Sequence, residues 1–174
     1  DTLATSYILA SAIAAIEEKE GKFDLILSGK QAIDGDTGQV GPEIAAHMGL
    51  AQVTYASEVS VHGEDVIVKR ESDQGYDIIS VRKPALVTVV KTAFDPRFPT
   101  LKSKMAARKV PIQVLTADDI PNIDLSRCGL KGSPTKVKKT FTPVRNKTCV
   151  KIAGEEAAVS AAKLVGMLAD AKVL

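Results

Sequence analysis

The chain has 174 residues, 45% hydrophobic and 25% charged, enough apolar surface to offset chain entropy, so disorder along its whole length is excluded. Its 23 basic residues nearly match its 21 acidic ones, which argues against a nucleic-acid or membrane-surface binder. Cys128 and Cys149 lack metal-ligand spacing and no apolar run is long enough to span a bilayer; a reducing cytoplasm without membrane insertion fits, with a disulfide left open.

In chain order, the first predicted element is a helix over residues 2–18. Leu3, Tyr7, Ala10, Ile13 and Ile16 recur near helical spacing, and Gly21 is a plausible stop. The apolar run 23–27 predicts a strand buried on both faces of a parallel sheet. Residues 28–36 read as a loop and 37–49 as a second helix, the alternation of an α/β fold. Residues 58–62 and 66–70, joined by Gly63-Glu64-Asp65, read as a β-hairpin. A turn at 72–75 leads to strand 76–81, completing an antiparallel meander with one wet face. A core strand is expected over 85–90.

Pro96 and Pro99 bracket a turn before a basic helix at 101–109, and 112–115 is a candidate further strand. Residues 121–150 read as an extended arm, and 155–172 as a closing amphipathic helix. This divides the chain into an α/β domain over 1–115 and an arm with its helix over 116–174. The charge is uneven. Lys102, Lys104, Arg108 and Lys109 cluster, as do Lys131, Lys136, Lys138, Lys139, Arg145 and Lys147, while most acids precede position 80. The chain opens at Asp1 directly into a helix pattern, as a fragment or processed chain does.

The segment with chemical content follows the first strand: Gly29, Lys30, Gln31, Ala32, Ile33, Asp34, Gly35, Asp36, Thr37, Gly38, Gln39, Val40 and Gly41. Ligands of open α/β sheets bind at the carboxyl ends of the strands. Glycines let a ligand approach the backbone. Thr37 is a candidate N-cap, which would leave the amides of 38–41 as free donors for a phosphate. The lysine precedes the glycines, so this is not a Walker A loop. Gly38 stands where an EF-hand needs an oxygen ligand. Asp34 and Asp36 repel phosphate, and one of them suits ribose hydroxyls instead. The spacing alone is equally that of a plain glycine-rich connection before a capped helix.

These residues resemble the adenine-nucleotide segment of the electron transfer flavoprotein beta subunit. The resemblance implies that residues 29–41 contact a nucleotide: AMP in simple carriers, a second FAD in electron-bifurcating ones. Gly35 replaces an Asp and Val40 a Thr of the AMP type, so FAD is favoured. A second stretch, Val68-x-Arg70-x-x-Asp73-x-Gly75 followed by Pro84-Ala85-Leu86-Val87-Thr88, is similar to the family's signature, departing at Gln74 and Asp77.

A third, residues 96–109, is similar to the loop and helix that dock on acyl-CoA dehydrogenases. It implies Leu101 as an apolar anchor with Arg97, Lys102, Met105, Arg108 and Lys109 around it. Read alone, the same segment is a solvated helix with a core leucine. Gly129 to Thr135 resembles the arm with which bifurcating members wrap the alpha subunit.

The fold implied is α/β of the adenine-nucleotide-hydrolase (HUP) type: a mostly parallel sheet, an antiparallel hairpin region, and an arm ending in a helix. The function implied is electron transfer with an alpha subunit, an acyl-CoA dehydrogenase and, in bifurcating systems, NADH and ferredoxin. Family members carry a long stretch before the position of Asp1 that completes the sheet and much of the pocket. The alternatives are a nucleotide-dependent enzyme on the same scaffold, which would need phosphate-loop and metal-carboxylate motifs absent here, and a stress-type binding module. His47 and His62 are isolated; both cysteines read as packing residues, and Tyr7 and Tyr55 as core residues.

Overall fold

The computed structural model describes residues 1–91, 93–144, 149–152 and 156–173. Arg145 and Lys147 of the basic cluster, and position 155 at the head of the expected last helix, lie outside them. Two units form, Asp1–Lys136 and Val137–Leu174.

In the first unit, helix α1 (Thr2–Glu20) is capped by Asp1, whose Oδ1 accepts from the Ala4 amide at 3.2 Å. Strand β1 (Leu25–Gly29) and helix α2 (Val40–Met48) follow. Then come β2 (Ala51–His62), β3 (Asp65–Ser72), β4 (Gly75–Arg82) and β5 (Ala85–Val89). The sheet order is β1-β5-β2-β3-β4. β5 pairs in parallel with β1 and β2, while β3 pairs antiparallel with β2 and β4. A parallel three-stranded core thus runs into an antiparallel meander, the architecture expected.

Alternation along β5 sends its side chains to two cores. Leu86 points to the helices and packs with Ala10, Ile44 and Ala45. Val87 points the other way, to Val53, Ala56, Val66 and Val68. Leu86 is fully buried, and its truncation to Ala would cost about 2–5 kcal/mol. The small buried residues of α1, Ala4, Ser6, Ala10 and Ala15, bring it close to its neighbours.

β1 departs from the expectation of a strand buried on both faces. It is an edge strand, partnered within the described residues by β5 alone, and Leu27 is 59% exposed on the face away from the helices. The meander behaves as expected: Val66 and Val68 of β3 are buried, while Tyr76 and Ile78 of β4 face solvent.

Beyond the sheet, helix α3 (Leu101–Ala107) starts at Thr100, whose Oγ1 accepts from the Ser103 amide at 3.2 Å. Residues 112–115 form no strand; Ile112 and Val114 are exposed and no neighbouring strand offers a ladder. The chain then makes short 3₁₀ turns at Ala117–Asp119 and Leu125–Arg127 and a single turn, α4 (Gly129–Gly132). In the second unit, residues 137–144 have no regular structure and α5 (Ala157–Asp170) closes the chain. Cys128 is half-buried, but Cys149 is exposed and packs into no core; both are free thiols. No helix is long and apolar enough to cross a membrane among the described residues.

Candidate functional site

A cleft of about 800 Å³ opens at the carboxyl end of β1, within the range of about 300–1,000 Å³ usual for small-molecule sites. Gly29, Lys30, Gln31, Ala32, Asp34, Gly35, Asp36, Thr37, Gly38, Gln39, Val40 and Gly41 all line it. Ile33 does not; its side chain is 98% exposed. Asp1, Thr2, Thr5, Ser28 and Thr135 complete the wall.

The loop turns back on itself before the helix begins. The Asp36 amide donates to the Ala32 carbonyl at 3.0 Å, and Asp36 and Gly38 both adopt left-handed backbone, with φ of 55° and 63°. Asp tolerates this region and Gly adopts it without penalty. The side-chain amide of Gln31 donates to Asp36 Oδ1, so this carboxylate is partly committed within the loop. These turns postpone α2. Its N-cap is Gln39, not Thr37, and makes no side-chain capping bond. The first intrahelical bond runs from the Glu43 amide to the Gln39 carbonyl at 2.9 Å. Pro42 has no N–H, so the helix's free donors are the amides of Val40 and Gly41.

The glycines divide by role. A Cβ on Gly29 would meet nothing within 4 Å, and one on Gly35 only Thr37 Cγ2 at 4.0 Å. Both leave open space in the cleft. At Gly41, by contrast, a Cβ would lie 2.6 Å from Ser28 Oγ and 2.8 Å from Thr88 Cγ2. Gly41 therefore lets α2 pack closely on the sheet, while its backbone still lines the cleft.

Two contributions to the wall had no signal in the local sequence. Asp1, besides capping α1, accepts through Oδ2 from both the amide and the hydroxyl of Thr135, a residue of the expected arm. Thr2 Oγ1 lies 3.2 Å from Gln39 Oε1 and 3.3 Å from Glu43 Oε1, tying the starts of α1 and α2 together. The other Glu43 oxygen, Oε2, is buried without a hydrogen-bond partner.

On the far side of Lys30, Tyr55 is not a core residue. It sits in left-handed backbone, φ 61°, at a bulge where the β2–β5 register shifts between Val53 and Ala56. Tyr7 likewise lines a separate groove of about 450 Å³, with Arg127 stacked 3.8 Å above its ring centroid and His47 edge-on at 5.8 Å.

The α3 segment forms a distinct surface. Leu101 and Met105, one turn apart, are 77% and 54% exposed, which removes the reading of Leu101 as a core residue. A shallow groove there is lined by Leu101, Lys102, Met105, Ala106 and Lys109. Arg108 is the helix C-cap, and Arg97 lies four residues before Leu101 in non-helical, exposed chain.

Comparison with known proteins gives the family. The family model described as Electron transfer flavoprotein domain matches residues 1–120. Electron transfer flavoprotein subunit beta of Megasphaera elsdenii is 48% identical over 145 residues, 82% of this chain and 53% of that protein. The acryloyl-CoA reductase electron transfer subunit gamma of Anaerotignum propionicum is 41% identical over 160 residues, 90% of this chain and 59% of that one. Subunit CarD of the caffeyl-CoA reductase-Etf complex of Acetobacterium woodii is 41% identical over 143 residues, 82% and 53% of the two chains. The chain spans about half the length of these relatives. It belongs to the electron transfer flavoprotein family, among sequences of the beta subunit.

Proposed function

We propose that residues 29–41 hold an adenine nucleotide, FAD in preference to AMP, in an electron-carrier subunit that pairs with an alpha subunit. The observation that carries this reading is the shared cleft. Twelve of the thirteen residues from Gly29 to Gly41 line it, beside the unpaired amides of Val40 and Gly41. A helix N-terminus favours a phosphate through such donors and its dipole. Open space at Gly35 supports FAD: an Asp side chain there would enter the cleft and add negative charge. Val40, on the same wall, offers no hydroxyl.

The assembled subunit passes electrons among NADH, ferredoxin and an acyl-CoA dehydrogenase by flavin-based bifurcation, with no substrate site of its own. The names of the acryloyl-CoA and caffeyl-CoA reductase relatives favour an acyl-CoA oxidoreductase partner. Residues 1–115 form the nucleotide-binding part; residues 116–174 pack on the alpha subunit. Leu101 and Met105 anchor the dehydrogenase, with Arg97, Lys102, Arg108 and Lys109 as the charged rim. The complex works in the cytoplasm. Bound flavin supplies the redox chemistry; the chain's own residues position the nucleotide and the partner.

Extraction of the purified native complex tests the reading. Two FAD per heterodimer are expected. One FAD with one AMP would reduce it to a simple carrier, and absence of any adenine nucleotide would overturn the site.

A further inference from the structure

Lys30 borders two cavities. One is the cleft already described; the other, about 410 Å³, is lined by Lys30, Tyr55, Arg70, Glu71, Ser72 and Asp73. Three observations mark this second cavity as built for a ligand. The first is Arg70. Its Nε is buried with no hydrogen-bond partner, and its guanidinium forms no ion pair among the described residues. Buried donors are normally paired, so an unpaired one beside a cavity points to a missing acceptor. The second is Tyr55. The bulge in β2 holds it in backbone that a bulky residue rarely adopts, while Thr88 Oγ1 accepts its displaced amide at 3.0 Å. Such conformations persist where the surroundings enforce them, often at ligand sites. The third is the joint between the cavities. Lys30 Nζ lies 5.2 Å from the centre of the Tyr55 ring, and the Tyr55 hydroxyl borders the loop at Gly38, 3.7 Å from where a Cβ would stand.

We infer that Lys30, Tyr55 and Arg70 form a second, phosphoryl-binding subsite that continues the nucleotide cleft past Lys30. This rests on the nucleotide reading of residues 29–41. The guanidinium fork, the ammonium and the phenol are directed donors suited to phosphoryl oxygens. Glu71 and Asp73 cancel the two positive charges, so recognition comes from geometry and not from a general attraction for anions. The subsite takes one phosphoryl group, either the second phosphate of a nucleoside diphosphate or a free phosphate.

The test uses the native complex stripped of nucleotide, titrated calorimetrically with AMP, ADP and inorganic phosphate. The wild type is expected to bind ADP about tenfold more tightly than AMP, the worth of one charge-assisted hydrogen bond. Arg70→Gln removes that preference while AMP affinity stays within about twofold, and the milder Arg70→Lys, which keeps the charge but not the fork, removes most of it. Equal ADP and AMP affinity in the wild type, or equal losses for both in the variants, overturns the subsite and leaves the nucleotide reading standing. Arg70-dependent binding of inorganic phosphate with no binding of AMP or ADP supports a free-phosphate site and overturns the nucleotide reading instead. No binding of any of the three overturns both.

Discussion

Gly41 on α2 approaches Ser28 on β1 so closely that a Cβ would lie 2.6 Å from the serine hydroxyl oxygen. Thr88, 2.8 Å away on the other side, is buried and β-branched, so it has little room to retreat. The loop of residues 29–41 is therefore held at its end by helix-to-sheet contact, and glycines of one segment play different parts. Gly41→Val is expected to destabilise the chain by about 1–3 kcal/mol through overpacking. Gly29→Ala, which meets nothing, is expected to stay within about 0.5 kcal/mol of the parent. Urea denaturation of both variants checks the contrast; equal stability would show that α2 can shift without cost.

Gly35→Asp addresses cofactor choice. The backbone there needs no positive φ and the space is open, so the fold should tolerate the carboxylate. The expected outcome is unchanged melting with loss of retained FAD and a shift toward AMP, read by chromatography of the released nucleotide. Full FAD retention would remove Gly35 as a determinant.

Leu101→Ala should leave stability within about 0.5 kcal/mol of the parent, because the side chain is 77% exposed. Electron transfer to the dehydrogenase should slow by tenfold or more, the usual cost of a central apolar anchor being at least about 2 kcal/mol. Stopped-flow reduction of the partner measures this, with nucleotide content as the control. Lost nucleotide would contradict a docking role.

Glu17 connects α1 to the entry of β1. Its Oε2 pairs with Lys22 at 2.7 Å and its Oε1 accepts from the Phe23 amide at 3.1 Å. The bond from Lys22 is the largest influence and lowers its pKa below the ordinary 4.5; partial burial opposes this, and the Phe23 bond adds to it. The folded carboxyl is thus more acidic than the unfolded one. Its contribution is complete above pH 4.5 and is lost as pH falls through the folded value. Glu17→Gln should melt lower than the parent at pH 7 and converge with it toward pH 3, in thermal melts across that range. A constant difference at all pH values would rule out the linkage.

How legible the fold was depended on whether a signal was local. The hairpin turn about Gly63-Glu64 and the alternation in β3 stand in the local sequence and appear within a residue or two of their expected places, whereas β2 begins at Ala51 and not at Glu58. The start of α2 did not. Thr37 has the right chemistry for a cap, but left-handed backbone at Asp36 and Gly38 moves the cap two residues on, to Gln39. The apolar run of β1 promised burial on both faces, yet burial depends on what covers a face, and Leu27 is uncovered. Ile112 and Val114 have strand chemistry without a strand to pair with.

The candidate site was legible as a segment and illegible as an enclosure. Residues 29–41 could be named from their glycines and the family resemblance. Thr135, which meets Asp1 from the far end of the same unit, had no local mark. Nor did Tyr55, and Arg70 was marked only as part of the family's signature: the bulge that aims one and the burial that strands the other's Nε arise only when β2, β3 and β5 come together.

Photolabelling the native complex with an azido-adenine nucleotide, followed by tryptic mapping, tests the central claim most directly. No Lys or Arg falls between Lys30 and Lys69, so Gln31 to Gly41 lie on one peptide, residues 31–69, and Gly29 and Lys30 end the peptide before it, residues 23–30. The account predicts label on these two peptides, at residues 29–41, with protection by excess FAD. Label elsewhere on the chain, or label on the loop that FAD fails to displace, would contradict it.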